Sequence, residues 1–216
     1  MSLIPDAASL NPLLAFALTA FIIELTPGPN MAYLAALSLS QGMKAGLAAV
    51  AGIALGLSVY GIAAALGLTA IIDSSRLLYE LLRWAGVAYL LWLAWEGWTR
   101  ERETSRTQAE EQHRPWPAFR RGLITNLLNP KAAVFYVAML PEFIRDDGRT
   151  VLMQTVILSS VYVGIATAVH AAIVIMAGSL QDVVSTADRR LRVRRALALV
   201  LVAIAIWFAF STGRTR

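Results

Sequence analysis

The chain has 216 residues, of which 57% are hydrophobic and 15% charged, where soluble domains carry about 25% charged residues. It has no cysteine and two histidines, which excludes disulfides, thiolate metal sites and a histidine-rich metal centre; no metal or cofactor is expected. A net charge of +5 would suggest nucleic acid in a soluble protein, but these arginines sit in links beside apolar stretches, where they meet anionic lipid and set orientation, so no nucleic-acid partner is expected.

The N-terminal stretch to Asn11 has no basic region and no small-residue cleavage site, so no cleaved signal peptide is expected. A bilayer core needs roughly 20 apolar residues per helix. The chain offers six such stretches, at about 12–37, 45–72, 78–98, 122–140, 152–177 and 196–210. The third has charges near its ends, Glu80, Arg83 and Glu96, whose long side chains can snorkel. Between the third and fourth, residues 99–118 are polar and read as a solvated linker, and His113 lies in it. A basic cluster, Arg189, Arg190, Arg192, Arg194 and Arg195, precedes the last stretch.

With six spans, one side collects Lys44, the six arginines between Arg100 and Arg121, and the five at 189–195, twelve in all against six on the other. The positive-inside rule puts the twelve in the cytoplasm and both termini outside. The predicted fold is an all-α integral membrane protein with a single transport domain. It consists of one repeat at about 12–98, the cytoplasmic linker 99–118 and a second repeat at about 119–211. Three spans per repeat is an odd number, so the repeats lie inverted, as in many secondary transporters.

Each repeat has a proline break in its first span. In the first, Glu24-Leu25-Thr26-Pro27-Gly28-Pro29-Asn30 interrupts an apolar helix; in the second, Asn126-Leu127-Leu128-Asn129-Pro130-Lys131 does. Proline has no N–H and clashes with the preceding turn. Thr26 and Asn129 read as N-caps, with Pro27 and Pro130 opening new half-helices. Such N-termini attract a carboxylate, and carbonyls freed before the break accept an ammonium. A simple proline kink is the structural alternative.

Glu24 and Lys131 fall near mid-membrane, where a charge facing lipid is costly. Glu24 reads as a protonatable coupling carboxylate, and Lys131 as its ion-pair partner or as a partner for a substrate carboxylate. Ala45, Ala49, Gly52, Gly56, Ala63 and Gly67 fall on one helical face with Tyr60, a stripe suited to close packing within one chain or in a homodimer. Tyr60 is a candidate cavity residue. His170, in the fifth stretch, is either an interhelical hydrogen-bond partner or a proton relay.

Several segments resemble, in order, the lysine exporter (LysE/RhtB-type) family. They are Leu25-Thr26-Pro27-Gly28-Pro29-Asn30; Ser40-Gln41-Gly42-Met43-Lys44-Ala45-Gly46-Leu47; Ala85-Gly86-Val87-Ala88-Tyr89-Leu90-Leu91-Trp92-Leu93; and Phe119 to Lys131, ending at Leu140-Pro141-Glu142-Phe143. The resemblance covers about residues 24–143, and the last two spans match in hydropathy alone. It implies an exporter of amino acids or their derivatives in the bacterial inner membrane, driven by the proton gradient. The family pattern has Asp in many members where this chain has Asn30, which cannot titrate, so the resemblance leaves proton coupling to Glu24.

The sequence therefore predicts a transporter, not an enzyme, working by alternating access. Its candidate substrate site is Thr26, Pro27, Gly28, Pro29, Asn30, Asn126, Asn129, Pro130, Lys131 and Tyr60, with Glu24 and His170 for protons. A passive channel or lipid-handling protein on the same broken-helix scaffold is the alternative.

Overall fold

The computed structural model describes residues 12–67, 75–99, 115–146, 148–180 and 187–211. The N-terminal stretch, residues 68–72 of the second apolar segment and linker residues 100–114 with His113 lie outside the described residues. Within them every regular element is helical. The helices are α1 (Pro12–Leu25), α2 (Pro29–Gln41), α3 (Met43–Ala65), α4 (Arg76–Thr99), α5 (Pro115–Leu127), the short α6 (Pro130–Val134), α7 (Val151–Ser179) and α8 (Ala187–Ser211). A π-helical turn, Phe135–Met139, and a 3-10 turn, Pro141–Phe143, continue α6.

Two helices, α3 and α7, are long and apolar enough to cross a membrane alone. The pair α1–α2 bends by 58° at its break, and α5 bends from its continuation by 50°. Counting each bent pair as one span gives four. The outer surface is apolar, with Leu18, Ile22, Leu55, Ile62, Val156 and Met176 among many exposed side chains. All six tryptophans are exposed there. Such a surface suits lipid and would not stay monodisperse in water.

Several boundaries differ from the sequence prediction. Helix α3 ends at Ala65, and Gly67, at φ +75°, terminates it instead of extending the small-residue stripe. Helix α5 starts at Pro115, so the end of the predicted linker is already helical. The arginine cluster at 189–195 lies on α8 itself. In α4 the charges are paired: Arg83 bridges Glu80 at 2.8 Å and also donates to the Ala209 carbonyl of α8, while Glu96 bridges Arg121 of α5 at 2.6 Å.

The small-residue stripe packs within one chain. A Cβ at Gly52 would strike the Phe119 carbonyl and the Leu123 amide of α5, and a Cβ at Gly122 would strike the Ala49 carbonyl of α3. Gly56 faces the Asn126 side chain and Gly61 faces Ser159 of α7. The α3 backbone thus lies directly against α5, and α7 closes the other side. Helices α1 and α2 lean on α7, while α4 packs along α8, which in turn meets α2. The core therefore mixes elements from both halves of the chain.

Candidate functional site

The first break is made by two prolines acting together. Pro29 restricts the residue before it to extended backbone, and Gly28 is extended at φ −157°, ψ 177°. A helix therefore cannot run from Pro27 through Gly28. It starts at Pro29, with Gly28 at the cap position and no side chain capping it. This corrects the expected start at Thr26–Pro27. The Thr26 hydroxyl instead turns back to the Ile22 carbonyl at 3.3 Å, and the Thr26 amide donates to Ile23 at 3.1 Å.

The second break follows the predicted chemistry. The Asn129 side chain accepts from the Lys131 amide at 3.0 Å, and Pro130 occupies the first helical position. The Asn129 amide returns to the Asn126 carbonyl at 3.0 Å. The Leu127 carbonyl accepts from the Tyr60 hydroxyl at 2.8 Å. Tyr60 thus holds the break from α3, stacked on Tyr136 at 5.9 Å, and it is not among the cavity-lining residues described below.

The two breaks meet. The Lys131 ammonium, next to the second, donates to the Thr26 carbonyl of the first at 2.9 Å. The side chains of Asn30 and Asn126 join at 2.9 Å. Both are buried, and the Asn30 oxygen and Asn126 amide nitrogen left over have no hydrogen-bond partner.

Glu24 does not form the ion pair with Lys131 that the sequence allowed. Its carboxylate, 4% exposed, accepts from the Tyr162 hydroxyl at 2.7 Å and lies 3.4 Å from His170 Nε2. Both partners come from α7. Lys131 is held away by the Thr26 carbonyl, so each charge has its own partners. The carbonyls of Thr26 and Leu127, expected to be free, are taken by Lys131 and Tyr60.

Two cavities share this region. An open one of about 330 Å³ is lined by Thr26, Pro27, Gly28, Pro130, Lys131 and Phe135, with Ile23, Val134, Met139 and Trp207 as further apolar wall. A much smaller one of about 10 Å³, the space of one water, touches Glu24, Asn30, Asn129, Tyr162 and His170. Gly28 and Lys131 line both, so the two cavities adjoin at these residues. A Cβ at Gly28 would come within 3.4 Å of that stem.

Tyr162, Tyr136 and Phe135 were not singled out from the sequence. Phe135 stacks on Tyr162 with ring centroids 3.6 Å apart and also lines the open cavity. The available signal was the buried stripe of α7, in which Tyr162, Ala166 and His170 recur at four-residue intervals.

Chemically, the arrangement offers an ammonium donor and an apolar cavity for the carboxylate and side chain of a small zwitterion. Beside it, at the small cavity, lies the buried Glu24 carboxyl group. Sequence comparison gives the family. The family model described as LysE type translocator matches residues 21–212. A homoserine/homoserine lactone efflux protein of Salmonella typhimurium is 34% identical over 131 residues, covering 60% of this chain and 63% of that protein. A leucine efflux protein of an Enterobacter species is 33% identical over 129 residues, covering 58% of this chain and 60% of that protein. An uncharacterized membrane protein of Vibrio cholerae is 33% identical, covering 61% of this chain and 64% of that protein. The matched region thus spans less than two thirds of these relatives' length. No solved structure matches.

Proposed function

Because the chain belongs to the LysE type translocator family, a family of multi-pass membrane transporters and not of enzymes, we propose that it exports amino acids or their derivatives from the cytoplasm by proton antiport. It works in the bacterial cytoplasmic membrane by alternating access. The carrier has six spans in two inverted repeats, with both termini outside. The two bent pairs, opening on Pro29 and Pro130, support the repeat, and the lysine and arginine distribution supports the orientation.

The observation that carries this reading is the meeting of both breaks on Lys131, which also lines the small cavity beside buried Glu24. In the open cavity the substrate carboxylate takes the Lys131 ammonium from the Thr26 carbonyl. An ammonium pairs more strongly with a carboxylate, which carries a full opposite charge, than with the uncharged carbonyl it leaves. The released carbonyl and the Asn30 oxygen then receive the substrate ammonium. With the lysine stem displaced, the small cavity joins the large one and Glu24 senses the new positive charge. Proton uptake by Glu24 from outside discharges the ammonium and resets the carrier. Tyr162 and His170 orient the carboxyl group and give the proton a path along α7.

Efflux of leucine and of homoserine should be measured in inverted vesicles with and without an imposed pH gradient. Glu24→Gln is expected to bind substrate but to lose the response to the gradient. A Glu24→Gln carrier that still follows the gradient would falsify the coupling role.

A further inference from the structure

The two broken spans place a tyrosine at the same offset, Tyr33 and Tyr136, each seven residues beyond the residue preceding the first proline of its break. Tyr136 joins the aromatic cluster beside Glu24. Tyr33 lies one turn into α2, where it lines a separate cavity of about 80 Å³ between α2, α4, α5 and α8. There it is 4% exposed, and its hydroxyl has no hydrogen-bond partner. The same cavity is lined by both members of the Glu96–Arg121 ion pair, with Gln41 at one edge and Leu93 and Leu201 as apolar wall. The Arg121 guanidinium also lies over the Trp92 ring at 5.9 Å.

We propose that this cavity is a second substrate station, at which a zwitterionic amino acid enters between Arg121 and Glu96 before it reaches the breaks. Its carboxylate pairs with Arg121, its ammonium with Glu96, and its side chain rests on the leucines. This rests on the export reading above, which makes the Arg121 end cytoplasmic. Three features favour a ligand over a fixed strut. Both side chains of the pair are 25% exposed, so a ligand in the cavity can reach them. A zwitterion replaces one charge contact with two, and an arginine fork suits a carboxylate. The buried Tyr33 hydroxyl, unsatisfied in the closed site, gains a partner when a polar ligand arrives.

The test is initial-rate uptake of leucine into inverted vesicles, whose outer face is the cytoplasmic one. Tyr33→Phe is expected to raise KM about fivefold, the loss of one hydrogen bond, with Vmax kept. Arg121→Gln should raise KM for leucine and remove its advantage over leucinamide, which lacks the carboxylate. The exchanged pair Glu96→Arg with Arg121→Glu restores an ion pair and its packing. For a station it keeps KM raised, because the ligand's charges now meet the wrong partners. For a strut it returns KM to the wild-type value, which overturns the proposal, as does an unchanged KM in Tyr33→Phe. Transport that still depends on Lys131 while these variants behave like wild type overturns the station alone. Wild-type protein that moves neither leucine nor homoserine overturns the station together with the export reading.

Discussion

The two proline breaks solve the same problem in opposite ways. The second is held from all sides: Asn129 caps the new helix, Tyr60 takes the Leu127 carbonyl, and the Leu128 carbonyl lies against Gly86 of α4. The first has no side-chain cap, an extended Gly28 and an exposed Thr26. Two polar contacts tie it to the second break, Lys131 on the Thr26 carbonyl and the Asn30–Asn126 side-chain hydrogen bond. The second break is held by more local contacts than the first; on the export reading proposed above, the first would be the moving part, released when a substrate carboxylate takes Lys131.

That contrast is open to mutation. Lys131→Met removes both the Thr26 contact and the carboxylate partner, and export of leucine and homoserine should fall by at least about 100-fold, as expected when a charged contact worth roughly 3 kcal/mol is lost. The protein should still fold, which melting in detergent checks. Tyr60→Phe leaves the Leu127 carbonyl unsatisfied and should cost about 1–3 kcal/mol of stability, read as a lower melting temperature. Asn129→Ala removes a cap and should cost about 1 kcal/mol, with Asn129→Asp close to wild type. Thr26→Val, at the sequence-equivalent position, removes no cap and should change the melting temperature least, by less than about 0.5 kcal/mol. Equal effects of the Asn129 and Thr26 substitutions would erase the distinction between the breaks.

How much of this was legible beforehand follows the range of each interaction. The second break was readable because cap, proline and helix start are neighbours in sequence. At the first, the Thr–Pro pair points to a start one proline too early, because Pro29 restricts Gly28 to extended backbone. Breaks, small-residue face and mid-membrane charges all came from composition and spacing. The partners of Glu24 did not, because Tyr162 lies 138 residues away and the choice between it and Lys131 depends on how α7 docks. Tyr60 reads from its helical face as a cavity residue; its hydrogen bond to the Leu127 carbonyl was not legible, because it depends on where α5 ends.

The seam between α3 and α5 has a mechanical consequence. Gly52 presses on the backbone of α5 and Gly122 presses on the backbone of α3, so each helix sits in the other's notch. Two cylinders locked backbone to backbone have no clearance to roll or slide. On the alternating-access reading proposed above, this pair would be the stator, with α7 bearing against it, and the bent arms and the α4–α8 pair would swing. A larger side chain at Gly52 or Gly122 would not tune the stroke; it would split the frame about which the stroke turns.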